Sequence, residues 1–307
     1  MRGPGAEPLA GLGRAQRGVG QSPTVLGVDM REINSERIVE VVAELCVSAN
    51  VVADGEIERA ICAACERETS VRAKNALEMI VENMELAKQE KMPMCQDTGM
   101  VVVFLEIGQD LHIKGDLRAA VNEGVRKGYK DGYFRASVVE DPIRRENTKD
   151  NTPAIIHFDL VAGDKLKIIV MPKGFGSENK GGAKMLTPSA GIAGVEDFVI
   201  ETVQKAGSDS CPPIIVGVGV GGTMDYAALL AKKAILNLEK GNSDPYWAEI
   251  EGRLLEKINA LGVGAAGFKG ITTALFVRIL TYPTHIAGLP VAVNVGCHVS
   301  RHKSATL

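Results

Sequence analysis

Pro93 divides this chain into two kinds of apolar pattern, and that division limits the folds open to it. Before Pro93 apolar residues recur at helical spacing. Ile38, Val41, Val42 and Leu45 follow a cap at Asn34 or Ser35; Ile57, Ile61 and Ala64 follow Asp54; Leu77, Ile80, Val81 and Met84 follow Ser70. Beyond Pro93 the pattern becomes strand-like and mixed. Residues 100–107 form a continuous apolar run. Residues 154–160 and 165–171 flank a turn at Gly163 and Asp164 and are expected to pair as a hairpin. Strands are also expected over 214–220 and 289–295, and helices over 195–205, 224–238 and 246–260. The fold class is therefore mixed α/β: a helical N-terminal region followed by one or more α/β lobes. A lobe boundary is expected near the glycine-rich stretch 174–182.

At 307 residues the chain is long enough to bury a large core. Its net charge of −3 gives no general attraction to nucleic acid or to an anionic membrane, and 4% aromatic content does not supply a stacking platform for bases. No apolar run approaches the ~18 residues of a membrane span. Neither nucleic acid nor membrane is expected as a partner. Six cysteines without a secretory leader point to a reducing compartment, the cytoplasm, with thiols free for metal or redox chemistry. Residues 1–29 are rich in Gly, Pro and Arg and poor in acids; they are expected to be a disordered leader, or sequence ahead of a true start at Met30. The globular region is expected to span 30–307.

Three cysteines occupy polar, turn-forming surroundings at strand ends. Cys95 lies in Met94-Cys95-Gln96-Asp97-Thr98-Gly99, Cys211 in Ser210-Cys211-Pro212-Pro213, and Cys297 in Asn294-Val295-Gly296-Cys297-His298. Their spacing carries little information, because only folding brings them together. Core cysteines usually sit among apolar residues, so these neighbours argue against a packing role. Three thiolates suit a cubane cluster with one iron left open, whereas electron-transfer clusters use four. An open iron is a Lewis acid, suited to loss of a hydroxyl from a 2-hydroxy acid. Cys62 and Cys65 form a C-x-x-C inside an amphipathic helix and, like Cys46, are read as packing. Gly217, Gly219 and Gly222 match G-x-G-x-x-G between a strand and a helix, with Glu239 roughly 20 residues on, so a nicotinamide-dependent oxidoreductase is the competing reading. An iron–sulfur scaffold or sensor is a third; it would need no carboxylate site, which Arg135 and Asp97 would otherwise provide. The loop Lys173-Gly174-Phe175-Gly176-Ser177-Glu178-Asn179-Lys180 offers backbone N–H groups to an anion.

These segments, with Asp150-Asn151-Thr152-Pro153, occur in the order found in class I (iron–sulfur) fumarate hydratases and L-tartrate dehydratases, and the chain from about residue 31 onward resembles that family. The resemblance implies that Cys95, Cys211 and Cys297 hold a [4Fe–4S] cluster with one open iron. It implies substrate contacts from Gln96, Arg135, Gly174 and Gly176. Asp97 would be a catalytic proton donor or carrier, and His285 a second catalytic group, from its own or a neighbouring protomer. Under this reading the 217–222 glycines are structural. Phe175 stands where many relatives have glycine. Single-chain relatives continue into a second domain carrying further substrate groups. This chain stops at Leu307, so it resembles the alpha subunit of split enzymes. A separate beta subunit, an α2β2 assembly and a small dicarboxylate substrate follow from that resemblance, with malate/fumarate ahead of L-tartrate.

Overall fold

A computed structural model describes residues 30–236, 238 and 241–307. The leader reading for 1–29 and the acid proposed at Glu239 fall outside these residues. In chain order the elements are β1 (Arg31–Asn34), α1 (Ser35–Val51), α2 (Gly55–Arg67), α3 (Val71–Glu90), β2 (Met100–Gly108), β3 (Leu111–Lys114), α4 (Leu117–Asp131), β4 (Ile155–Val161), β5 (Leu166–Lys173), α5 (Phe175–Glu178) and β6 (Gly182–Leu186). There follow α6 (Gly191–Ala206), β7 (Ile214–Gly222), α7 (Met224–Ala234), α8 (Pro245–Ala260), β8 (Ala274–Thr284), β9 (Leu289–Gly296) and β10 (Lys303–Thr306). The mixed α/β expectation holds.

The early helices start where their caps predict. The Asp54 carboxylate accepts from Glu56 N–H at 3.0 Å, and Ser70 Oγ accepts from Ala73 N–H at 3.5 Å. Asn34 occupies the cap of α1 in extended backbone without a side-chain bond. The third helix ends at Glu90 on a left-handed Lys91, just ahead of Pro93.

Two four-stranded sheets organise the rest, in the orders β10-β5-β2-β4 and β6-β9-β7-β8. A small parallel pair, β1 with β3, stands apart. In the first sheet β2 is central, and its alternation explains the continuous apolar run. Val101, Val103 and Leu105 enter one core with Ile38, Val42, Val121 and Val125 of α1 and α4. Val102 and Phe104 enter another with Ile57, Ile61 and Leu77 of α2 and α3. The expected hairpin of β4 with β5 does not form. Strand β2 lies between them, parallel to β4 and antiparallel to β5. The strand able to bury both faces takes the centre, while β4, with Phe158 and Leu160 exposed, takes the edge.

In the second sheet Val216, Val218, Val291, Val293, Val277 and Ile279 pack with Val199, Val203, Leu254 and Ile258 of α6 and α8. On its other face α7 lies directly on β7. A Cβ at Gly217 would stand 2.2 Å from Ala231 O, and one at Gly219 would stand 2.0 Å from Ala227 O. The glycine run is thus part of a strand, not a turn between strand and helix, and its bareness serves helix packing. This corrects the dinucleotide reading: a phosphate-binding loop needs free N–H groups, whereas residues 215–220 of β7 are paired with β9 on one side and β8 on the other. The helix expected over 224–238 stops at Ala234.

The chain passes between the sheets twice, from β5 through α5 to β6 and from β9 to β10. Both crossings occur at the same ends of the two sheets. Met100 pairs Lys173, and Ile215 pairs Gly296. Among the described residues no helix is long and apolar enough to cross a membrane.

Candidate functional site at the seam between the sheets

The seam gathers the three loop cysteines. Cys211 precedes β7 and Cys297 follows β9; because these strands are antiparallel neighbours, the two residues meet at one end. His298 fixes the approach: its backbone N–H donates to Cys211 O at 3.3 Å, and its Nδ1 lies 2.9 Å from the same oxygen. Cys211 adopts a left-handed φ of 54°, and Lys180 Nζ pairs with Asp209 at 2.9 Å beside it. Cys95 comes from the loop before β2 and packs against the same core as Cys297. Cys211 lies near enough to both other cysteines to feel their charge. Burial raises the Cys211 thiol, and the neighbouring Cys297 and Cys95 raise it further. Burial also raises Cys297, against the opposing charges of Arg301 and Lys173. Cys46, by contrast, is fully buried in the first core. Cys65 packs against the second core, but Cys62 is exposed. The packing reading is corrected for Cys62, because the buried face of α2 runs through Ile57, Ile61 and Ala64.

The Cys95 loop is tied to its surroundings through Asp97. Asp97 Oδ1 accepts from Gly99 N–H at 3.0 Å and Oδ2 from Phe175 N–H at 2.8 Å, while Asp97 O accepts from Arg301 Nη2 at 2.5 Å. Both carboxylate oxygens therefore act as acceptors and tie the Cys95 loop to α5. Thr98 Oγ1 donates to Arg135 O at 2.8 Å. Buried Asn151 completes the link: Nδ2 donates to Gly99 O at 3.1 Å, and Oδ1 accepts from Ser137 N–H at 2.8 Å. The Gln-Asp-Thr-Gly and Asp-Asn-Thr-Pro segments thus hold the Arg135 loop against the Cys95 loop.

That arrangement encloses a cavity of about 440 Å³ lined by Asp97, Met100, Arg135, Val138, Arg145 and Phe175, among others. Arg135 is exposed, and among the described residues its guanidinium has no hydrogen-bonding or ion-pair partner. Gln96 is exposed in the adjoining turn. A Cβ at Gly174 would stand 3.3 Å from Asp97 Oδ2, a tight contact that would require the carboxylate to give by a few tenths of an ångström; Gly176 faces open space. His285 is not brought to this site within one protomer. It sits at the opposite end of β9 from Cys297, on the exposed turn between β8 and β9. Eight strand residues separate the two ends, or roughly 25 Å. There its Nδ1 accepts from Ala287 N–H at 3.2 Å.

Sequence reasoning missed a buried charge network beneath the site. Lys173 Nζ donates to Ser177 Oγ at 2.8 Å and Val295 O at 2.9 Å and pairs with Glu178 at 3.3 Å. Glu178 also pairs with Lys232 and accepts from Asn294 Nδ2 at 3.0 Å. Burial alone would raise the Glu178 carboxyl, but the two ammonium groups outweigh it and hold it at about 2. Burial lowers the Lys173 ammonium. Lys173 and Glu178 stood in the glycine loop, where the glycines drew attention; Arg301 had no pattern to mark it.

The residues fit a multi-iron group. Thiolates brought to one seam repel one another unless a cation lies between them. Arg301 and Lys173 add the positive charge that suits a thiolate-ligated cluster. Arg301 Nε and Asn294 Oδ1 are buried at this seam with no hydrogen-bond partner. Among the described residues no three His, Cys, Asp or Glu side chains form a ready single-ion site; a cubane spaces its thiolates more widely than one ion does.

Comparison with known proteins places these features in a family. The family described as fumarate hydratase (Fumerase) matches residues 39–306. A Methanocaldococcus jannaschii protein with the provisional name of L(+)-tartrate dehydratase subunit alpha is 42% identical over 273 residues, covering 86% of this chain and 95% of that one. The L(+)-tartrate dehydratase subunit alpha of Escherichia coli K12 is 32% identical over 246 residues, 79% of this chain and 80% of its own length. The Shigella sonnei protein of the same name matches to the same extent. On this match across most of its length, the chain belongs to the fumarate hydratase family.

Proposed function

We propose that this chain is the cluster-bearing alpha subunit of a hydro-lyase that adds or removes water on a small dicarboxylic 2-hydroxy acid. The observation that carries the reading is the convergence of three strand-end cysteines beside a cavity lined by Arg135, whose guanidinium has no partner among the described residues. Cys95, Cys211 and Cys297 would hold a [4Fe–4S] cluster. When bound, such a cluster, with one iron lacking a protein ligand, supplies Lewis acidity for loss of a hydroxyl group. Arg135 binds a substrate carboxylate through two parallel N–H donors. Asp97 orients α5 and the Cys95 loop and presents its carboxylate to the cavity as a proton carrier. Gln96 and the backbone at Gly174 and Gly176 border the substrate. His285 serves a neighbouring protomer's site, because it stands a strand length from its own.

Malate/fumarate is the first substrate pair, in keeping with the family description. L(+)-tartrate is the second, favoured by the names of the relatives. Those names also carry the word subunit, which supports a separate beta subunit; an α2β2 assembly and a reducing, cytoplasmic setting complete the proposal. The test is an anaerobic assay of the reconstituted chain, with and without its beta partner, on malate, fumarate and L(+)-tartrate. The pair should turn over at least one of them and the chain alone none. Absence of turnover by the reconstituted pair on all three would reject the hydro-lyase reading.

A further inference from the structure

The cavity holds a second arginine that the reading above does not use. Arg145 lines it together with Arg135 and Asp97. Like Arg135, it is exposed, and among the described residues its guanidinium has no hydrogen-bonding or ion-pair partner. Other arginines are engaged: Arg126 with Asp150, Arg253 with Glu196, Arg278 with Glu251 and Arg301 with Asp97 O.

The loop bearing Arg145 is built rather than slack. Val139 and Asn147 form a bridge, Glu140 N–H donates to Glu146 O at 2.8 Å, and Thr148 N–H donates to Val138 O at 2.9 Å. At its tip Asp141 Oδ1 accepts from Ile143 N–H at 2.9 Å and Arg144 N–H at 2.7 Å. Arg145 N–H donates to Asp141 O at 3.0 Å, and Arg145 itself holds a left-handed φ of 65°. A side chain with a Cβ pays for that conformation, so the arch spends stability to place this residue.

Charge completes the argument. Asp97 puts a negative charge on the cavity wall, which Arg135 alone would only cancel. The rest of the wall is largely apolar, including Met100, Val138, Val139, Pro142 and Phe175, and low polarity strengthens whatever charge remains. With Arg145 the cavity becomes net positive, the sign that a dianion requires. We infer that Arg145 is a second carboxylate-binding residue, a cation that makes the pocket select dicarboxylates over monocarboxylates. This rests on the hydro-lyase reading for its substrate class but not for its test.

The test uses the reconstituted chain with its beta partner and two probes of equal carbon number, succinate and butyrate, whose binding is measured by calorimetry. Wild type should prefer succinate. Arg145→Gln should lose most of that preference, weakening succinate roughly tenfold to a hundredfold while leaving butyrate almost unchanged. Arg145→Lys should restore part of it. Arg144→Gln, next in sequence but off the cavity wall, should match wild type. If the protein is active, KM for the substrate should rise in Arg145→Gln more than kcat falls. Unchanged succinate preference in Arg145→Gln would overturn the inference, as would an equal loss in Arg144→Gln. Because binding needs no turnover, failure of Arg145 is distinguishable from failure of the hydro-lyase reading.

Discussion

Gly99 shows how closely the site is set by single residues. It holds a φ of 80°, and a Cβ there would lie 2.8 Å from the backbone of Lys173. Its carbonyl accepts from Asn151, and its N–H donates to Asp97. One residue thus joins the Cys95 loop, the Arg135 loop and the strand leading to the buried lysine. Gly99→Ala combines a disfavoured backbone with a backbone clash, so it should cost about 1–3 kcal/mol or more of stability. Chemical denaturation should show it; a midpoint equal to wild type would mean that the strand pair separates freely here. Phe175 is a different kind of residue. Its N–H is committed to Asp97, while its ring is exposed on the cavity wall.

At the scale of elements, the Lys173–Glu178–Lys232 network joins β5 of the first sheet to α5 and α7, and its bonds to Asn294 and Val295 O reach β9 of the second. Glu178 sits at about 2, below the ordinary 4.5. A depressed carboxylate adds stability that is fully present above 4.5 and is lost as pH falls through about 2. Denaturation followed over that window should show a pH dependence in wild type that Glu178→Gln reduces. Above 4.5 the same substitution strands Lys173 and should cost roughly 3 kcal/mol, the low end for an uncompensated buried charge, because Glu178 keeps 24% of its side-chain exposure. An unchanged pH slope in the variant would show that the network carries no such linkage. Elements with a single buried face were legible in the sequence: α1 to α3 with their caps, and α8. Pairing order was not, since β2 enters between β4 and β5 by virtue of two buried faces, which a linear reading sees only as one long apolar run. The glycines of β7 misled for a related reason: bareness for helix packing and bareness for a phosphate look alike in sequence.

For the whole molecule, the two sheets matter less than the seam between them. Both chain crossings pass through it; the thiols, Asp97 and Arg301 belong to loops that start or end there, and Lys173 is the last residue of β5. The sequence pointed to the cysteines through their polar neighbours, and to the fumarate hydratase family through the order of its motifs. It could not point to Arg301 or Arg145, whose meaning depends on which loops fold against which. On the proposal made here, the seam holds a cluster on Cys95, Cys211 and Cys297. Bound iron per chain after anaerobic reconstitution tests it most directly, measured for the single serine variants of these three residues and for Cys62→Ser. Loss of the cluster is expected in each of the three, and retention in Cys62→Ser. Full iron in Cys95→Ser, Cys211→Ser or Cys297→Ser, or its loss in Cys62→Ser, would contradict it.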